Sequence, residues 1–115
     1  MEMRLNEIID DIYETLEDYK PYYGWFNEDR EEDIQVTFHI YNNIDSHFLD
    51  DEAQLQEDSL QVDIWGKDYS NVNDTYEDIK QLLKGKDGYY YTECNSDFET
   101  DTGLFHNSLR YKINR

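Results

Sequence analysis

Two stretches of the chain alternate strictly between apolar and polar residues, and this pattern constrains the fold more than any other. The apolar members are Ile34, Val36, Phe38 and Ile40 in residues 34–41, and Leu60, Val62 and Ile64 in residues 60–65. A period of two is typical of a strand that buries one face. Each stretch therefore predicts a strand covered on one side, and in the second stretch Asp63 and Trp65 lie on the face away from the core.

Two further segments repeat apolar residues with the period of an α-helix. The stripes are Leu5, Ile8, Ile9, Ile12 and Leu16 in residues 3–19, and Val72, Tyr76, Ile79, Leu82 and Leu83 in residues 71–84. Pro21 marks the end of the first helix and Gly85 the end of the second. Two more strands are expected, at residues 89–98 from their β propensity and at residues 104–113 from their alternation.

The order helix, strand, strand, helix, strand, strand predicts the fold class. The 115 residues suffice for one domain with one modest core. Consecutive strands joined by a loop or turn favour antiparallel pairing. We therefore expect a single α+β domain over residues 1–115, in which a largely antiparallel four-stranded sheet carries two helices on one face.

The formal net charge of −18 restricts the partners of this chain. A surface this negative repels nucleic-acid phosphates, so direct recognition of DNA or RNA is disfavoured. Three interpretations stay open. The acidity keeps the protein soluble, or it mimics nucleic acid in a basic groove of another protein, or it lines a channel through which DNA slides without sticking.

No pattern in the sequence indicates catalysis, a metal site or a cofactor. His39, His47 and His106 belong to three separate segments, and Cys94 has no base beside it in sequence. The five glycines are scattered singly, so no phosphate-binding loop is formed. We expect a protein that is not an enzyme and binds no cofactor or metal.

The compartment is predicted from Cys94 and from the lack of long apolar runs. A single cysteine excludes an internal disulfide and suits a reducing compartment. The sequence has neither the pattern of a signal peptide nor an apolar run long enough for a membrane span. We expect a soluble protein that is made in the cytoplasm and makes no membrane contact.

Two segments are candidates for contact with another subunit or a partner. The first is PYYGWF at residues 21–26, with Tyr22, Tyr23 and Trp25; the alternative is a loop that folds its rings over the edge of the core. The second is the long polar connection at residues 42–59, where Phe48 and Leu49 are apolar. Connections of this length are usually functional or mobile, so a disordered hairpin tip is the alternative there.

Three motifs in the second half of the chain carry a resemblance to a known family. They are LQVDIWGKD at residues 60–68, IKQLLKG at residues 79–85, and DFETDTGLFHNSLRYKI at residues 97–113. In this order and spacing they resemble the tail-completion, or tail-to-head joining, proteins of long-tailed bacteriophages and prophages. The likeness is strongest over residues 60–113 and weaker over residues 34–59, where TFHIYNN resembles the family's first strand.

The resemblance implies a small α+β structural protein of the virion, located at the head-proximal end of the tail and assembled in the cytoplasm of the host bacterium. The protein is expected to form a ring, of six subunits by this likeness, that caps the tail tube protein and docks on the head completion or connector protein. DNA would pass through without specific binding, and we expect Asp50, Asp51 and Glu52 to face the lumen. The family has no catalytic residues to transfer. The alternative function is a phage-encoded acidic mimic of DNA that inhibits a host nuclease or defence protein.

Overall fold

A computed structural model describes residues 5–27, 32–42 and 57–114 of the chain. The elements in chain order are α1 (Leu5–Thr15), a 3-10 turn (Glu17–Tyr19), β1 (Tyr22–Tyr23), β2 (Ile34–Asn42), β3 (Glu57–Gly66), α2 (Tyr69–Lys84), β4 (Tyr89–Glu99) and β5 (Leu104–Asn114). The fold is α+β, as the sequence predicts. Of the helices in these ranges, none is long and apolar enough to span a bilayer.

The strands form one mixed sheet in the order β1-β2-β3-β5-β4. The four predicted strands pair antiparallel, whereas β1 runs parallel to β2. The predicted count of four strands is therefore wrong by one. The extra strand has only two residues, Tyr22 and Tyr23, which are too few to show a period of two in the sequence.

Both helices begin or end at residues that differ from the prediction. α1 ends at Thr15 and a 3-10 turn follows, which ends at Lys20 in a left-handed backbone conformation (φ 49°) just before Pro21. α2 begins at Tyr69, two residues earlier than expected. Asp68 caps this helix by accepting hydrogen bonds from the backbone N–H groups of Ser70 (2.9 Å) and Asn71 (3.3 Å).

One hydrophobic cluster joins the two helices to a single face of the sheet. Its buried members are Ile8, Ile12, Leu16, Val36, Phe38, Leu60, Val62, Ile64, Val72, Tyr76, Ile79, Leu83, Leu109, Tyr111 and Ile113. The helical stripes and the alternating strand residues of the sequence thus meet in one core. The prediction that both helices pack on one face is confirmed.

The two edges of the sheet differ in how their backbone is covered. At the β1 edge the Tyr23 hydroxyl accepts a hydrogen bond from the Ile40 N–H (3.1 Å) and donates one to the Ile40 carbonyl (3.3 Å). At the opposite edge residues 90–98 of β4 are all exposed. A register shift between Tyr91 and Glu93 interrupts the β4–β5 pairing. At the first edge a tyrosine side chain therefore pairs the backbone groups of Ile40 on β2, while β4 at the other edge faces solvent.

Candidate functional site

The sheet face opposite the helices has a buried polar centre. Its buried members are Gln35, Thr37, Ser59, Gln61, Asp63, Trp65, His106 and Ser108, which come from β2, β3 and β5. Polar side chains are seldom this buried unless they are hydrogen-bonded. This face is consequently a second packed layer and not the solvated back of a half-buried sheet.

Asp63 lies at the centre of this layer and is fully buried. His106 Nε2 is 2.7 Å from Asp63 Oδ1, and Gln61 Nε2 donates to both carboxylate oxygens, at 3.0 and 3.2 Å. Gln61 Oε1 in turn accepts from Arg110 Nε (3.2 Å), and Arg110 binds Glu93 at 2.7 Å. A chain of polar contacts therefore runs from the buried carboxylate to the exposed strand β4.

Trp65 covers this centre with its ring. The indole stacks on the His106 imidazole with ring centroids 3.6 Å apart and planes 9° from parallel, and its Nε1–H donates to Thr37 Oγ1 at 3.1 Å. Trp25 then meets Trp65 edge-on at 5.0 Å and His106 at 5.7 Å. Since the indole N–H has an acceptor and the side chain is only 1% exposed, Trp65 is a structural residue.

His106 is not positioned to activate a nucleophile. Its Nε2 faces the Asp63 carboxylate and its Nδ1 lies 3.9 Å from Glu99 Oε2. A general base needs one nitrogen directed at a hydroxyl, thiol or water to be activated. Within the described ranges, no group of three or more histidine, cysteine or carboxylate side chains is suited to hold a metal ion.

A groove of about 660 Å³ opens beside this layer, where β2 and β5 begin and β3 ends. Phe26 and Trp65 contribute aromatic surface to it. Four of its lining residues are acidic and one is basic, namely Glu32, Asp33, Asp68, Asp101 and Lys67. We refer to this cavity as the acidic groove; its composition favours a cationic group with an apolar stem.

The C-terminal half of α2 and the residues that follow it carry a cluster of lysines. Lys80, Lys84 and Lys86 occur within seven residues that include no acidic residue. Lys80 Nζ lies 4.9 Å from the centroid of the exposed Tyr91 ring on β4, and Lys86 pairs with Asp11 at 2.9 Å. Lys84 is exposed and has no ion-pair partner among the described residues. We refer to Lys80, Lys84 and Tyr91 as the lysine patch.

Cys94 lies on β4 next to this patch and is exposed. Hydrogen bonds from Tyr76 and Tyr91 lower the pKa of its thiol below the ordinary value, with Lys80 adding a smaller contribution of the same sign. The cause is that the hydroxyl groups and the nearby cation stabilise the charge of the thiolate.

The structure separates the predicted contact residues of the first segment. Tyr22 is partly buried and its hydroxyl donates to Glu32 at 2.6 Å, while Tyr23 is held by Tyr13 and Ile40. Trp25 is 55% exposed even though it packs on Trp65. Tyr22 thus fits the alternative of a loop folded over the edge of the core, whereas Tyr23 (43% exposed) and Trp25 keep exposed surface, and the role of all three in contacts stays a prediction.

Of the second predicted segment, residues 43–56 lie outside the described residues, whereas residue 42 ends β2 and residues 57–59 begin β3. Residues 43–56 include Phe48 and Leu49 and the proposed lumen residues Asp50, Asp51 and Glu52. Their assignment stays a prediction.

Sequence reasoning missed the exposed aromatic residues of β4. Tyr90 is 55% exposed, and Tyr91 and Phe98 are exposed by 43% and 46%. The run of three tyrosines at residues 89–91 was a signal for this surface, because a run without alternation does not fit a strand with one buried face. The β propensity of this run predicts the strand and does not indicate which of its faces are exposed.

No protein-family model matches the chain, and a search of curated proteins gave no match. The proposals below therefore depend on the residues themselves and on the motif resemblance given above.

Proposed function

We propose that the protein is a structural component of a phage virion that forms a ring at the head-proximal end of the tail. The ring caps the tail tube and joins the tail to the head connector, and DNA passes through its lumen. The observation that carries this proposal is the presence of exposed aromatic surface at two opposite edges of one sheet.

A ring of identical subunits needs two different surfaces on each subunit, which meet head to tail and close by rotation. The order β1-β2-β3-β5-β4 puts Tyr23, which is 43% exposed, on the strand at one edge of the sheet and the exposed rings of Tyr90, Tyr91 and Phe98 on the strand at the other. Exposed tyrosine and tryptophan rings are enriched at protein interfaces. Two such surfaces on different edges support a heterologous contact better than a two-fold one.

The charge supports the same proposal. A lumen that conducts DNA benefits from carboxylates, because repulsion keeps the polyanion from adhering. α1 supplies exposed acidic residues on the side away from the core, among them Glu7 and Asp10. The same acidity is compatible with the rival function, in which the protein occupies the basic groove of a nuclease.

The test is the mass of the protein in solution, measured alone and with a tail tube protein. Subunits of charge −18 repel one another over about 30 Å at an ionic strength of about 0.01 M, and over only about 8 Å at about 0.15 M. We expect monomers at the lower ionic strength and ring-sized particles at the higher one, with the tube protein promoting assembly further.

Two results would contradict this proposal. One is a monomer at every ionic strength that does not associate with the tube protein. The other is tight, salt-sensitive binding to a nuclease together with indifference to tubes, which would favour the DNA mimic. Inclusion of a small acidic protein of similar charge density controls for non-specific attraction to either partner.

A further inference from the structure

We propose that the acidic groove of one subunit receives the lysine patch of a second copy of this chain. The inference rests on the proposed function and deepens it, because it names the surfaces through which neighbouring subunits of the ring meet. The occupant is a second copy, and the contact joins Lys84 and Lys80 to Asp101 and Asp33.

The first argument is the position of the two surfaces. The acidic groove lies at the N-terminal end of α2, where Asp68 and Asn71 line it. The lysine patch lies at the C-terminal end of the same helix, about 24 Å away for 16 residues at 1.5 Å each. Two complementary surfaces at opposite ends of one rigid element produce a head-to-tail contact, which is the kind that a ring requires.

The second argument is the cost of bringing two acidic subunits together. Most faces of a chain with 28 acidic and 10 basic residues repel the same face of a neighbour. Association is least unfavourable where a locally basic surface meets an acidic one. Residues 80–86 are a stretch of three lysines without an acidic residue, so they offer an approach surface of this kind.

The third argument is the chemistry of the groove. A lysine that enters it buries its apolar stem against Phe26 and presents its ammonium to the carboxylates at the rim. Tyr91, next to Lys80 in the lysine patch, adds an exposed ring to the contact. Asp101 is exposed in the β4–β5 turn and Asp33 is exposed beside β2, so both are accessible to a neighbour.

Charge reversal tests the inference, because the inference and the net charge alone predict opposite changes in assembly. Asp101→Lys lowers the magnitude of the net charge, so it would strengthen assembly if only total repulsion mattered. We expect it instead to weaken assembly about tenfold or more at about 0.15 M ionic strength, because it puts a lysine opposite the lysine patch. Glu14→Lys makes the same charge change on exposed α1 and is the matched control, which should not weaken assembly.

The reciprocal variant is Lys84→Glu, with assembly again expected to fall about tenfold or more. The double variant Lys84→Glu with Asp101→Lys restores the attraction and should recover most of the assembly. The double variant Lys84→Glu with Glu14→Lys has the same net charge of −18 as the first one and should not recover it. Ring fraction is measured by native mass spectrometry or sedimentation, with circular dichroism to show that each variant is folded.

The outcomes separate this inference from the proposed function. Wild-type rings that form normally, together with variants that all behave like Glu14→Lys, would overturn the inference and leave the ring intact. A loss of tube binding in Asp101→Lys but not in Lys84→Glu would mean that the groove receives a basic segment of the tube protein, which also overturns it. A wild-type protein that neither assembles nor binds tubes contradicts the proposed function itself.

Discussion

At the scale of single residues, Asp63 is the residue on which the second packed layer depends. Its carboxylate is fully buried, lies in contact with His106 Nε2, and accepts hydrogen bonds from the Gln61 amide at both of its oxygens. A buried acceptor of this kind stabilises a fold only while its donors remain paired. The same dependence makes the site sensitive to truncation.

Replacement Asp63→Ala removes the acceptor for two buried side chains at once. We expect the free energy of unfolding to fall by about 1–3 kcal/mol, which is the usual cost of leaving a buried donor unsatisfied. Urea unfolding followed by circular dichroism measures it. Asp74→Ala, at an exposed position on α2, is the control, and equal midpoints for the two variants would contradict this interpretation.

The alternation in residues 60–65 correctly predicts that Asp63 and Trp65 leave the helix-covered core. It does not predict that they are buried again, because the residues that cover them are distant in sequence. Trp25 belongs to a loop 40 positions before Trp65, and His106 to the last strand. No local period connects such positions, so only the fold brings the aromatic and polar partners together.

At the scale of elements, the junction from β3 to α2 depends on Gly66. This glycine pairs with both neighbouring strands, opposite Ile34 and Phe105. A Cβ there would lie 2.8 Å from Ile34 Cδ1, 2.8 Å from Val72 Cγ2 and 3.1 Å from the Asp33 carbonyl oxygen. The close approach of α2 to the sheet therefore requires the absence of a side chain.

We expect Gly66→Ala to destabilise the protein by about 1–3 kcal/mol, as overpacking of a tight core does. Gly85→Ala is a matched control, because an added Cβ there meets nothing within 4 Å and its φ of −84° is ordinary. That control should be neutral or slightly stabilising through the unfolded state. Denaturant midpoints compare the two variants, and similar values would contradict the packing argument.

The elements that the sequence predicts are those in which apolar residues repeat over several periods. β2 and β3 each have several residues that alternate, and α2 has a full apolar stripe, so their type and packing face could be predicted from residues such as Val36, Val62 and Ile79. β1 could not be, because two residues have no period. The surface of β4 could not be either, because residues 90–98 are exposed on both faces and the usual alternation is missing.

At the scale of the whole molecule, stability is tied to pH through buried tyrosines. Burial raises the pKa of Tyr111 from 10.0 to about 12, with a smaller contribution from Tyr91. Burial likewise raises the pKa values of Tyr89, next to Asp11, and of Tyr76. In the folded protein these phenols stay neutral to a higher pH. The unfolded chain therefore loses their protons first as the pH rises.

Because the folded pKa is the higher one, the stabilisation is complete below about pH 10 and is lost as the pH rises towards about 12. We expect the denaturant midpoint to fall across this interval. Tyr111→Phe keeps the packed ring and removes one ionisation, so its midpoint should fall less steeply than that of the wild type. Parallel slopes for the two proteins would show that Tyr111 does not contribute.

The hydrogen bonds of Tyr23 to Ile40 have a consequence for aggregation. Fibril growth by strand addition needs two free edges per molecule, since each newcomer must both accept and offer a strand. At one of them Tyr23 hydrogen-bonds both backbone groups of Ile40. At the other, the carboxylates of Glu93, Asp97 and Glu99 on β4 repel the same carboxylates of an identical strand. The Tyr23 hydroxyl thus opposes strand addition at Ile40, and the carboxylates oppose it along the exposed residues 90–98 of β4.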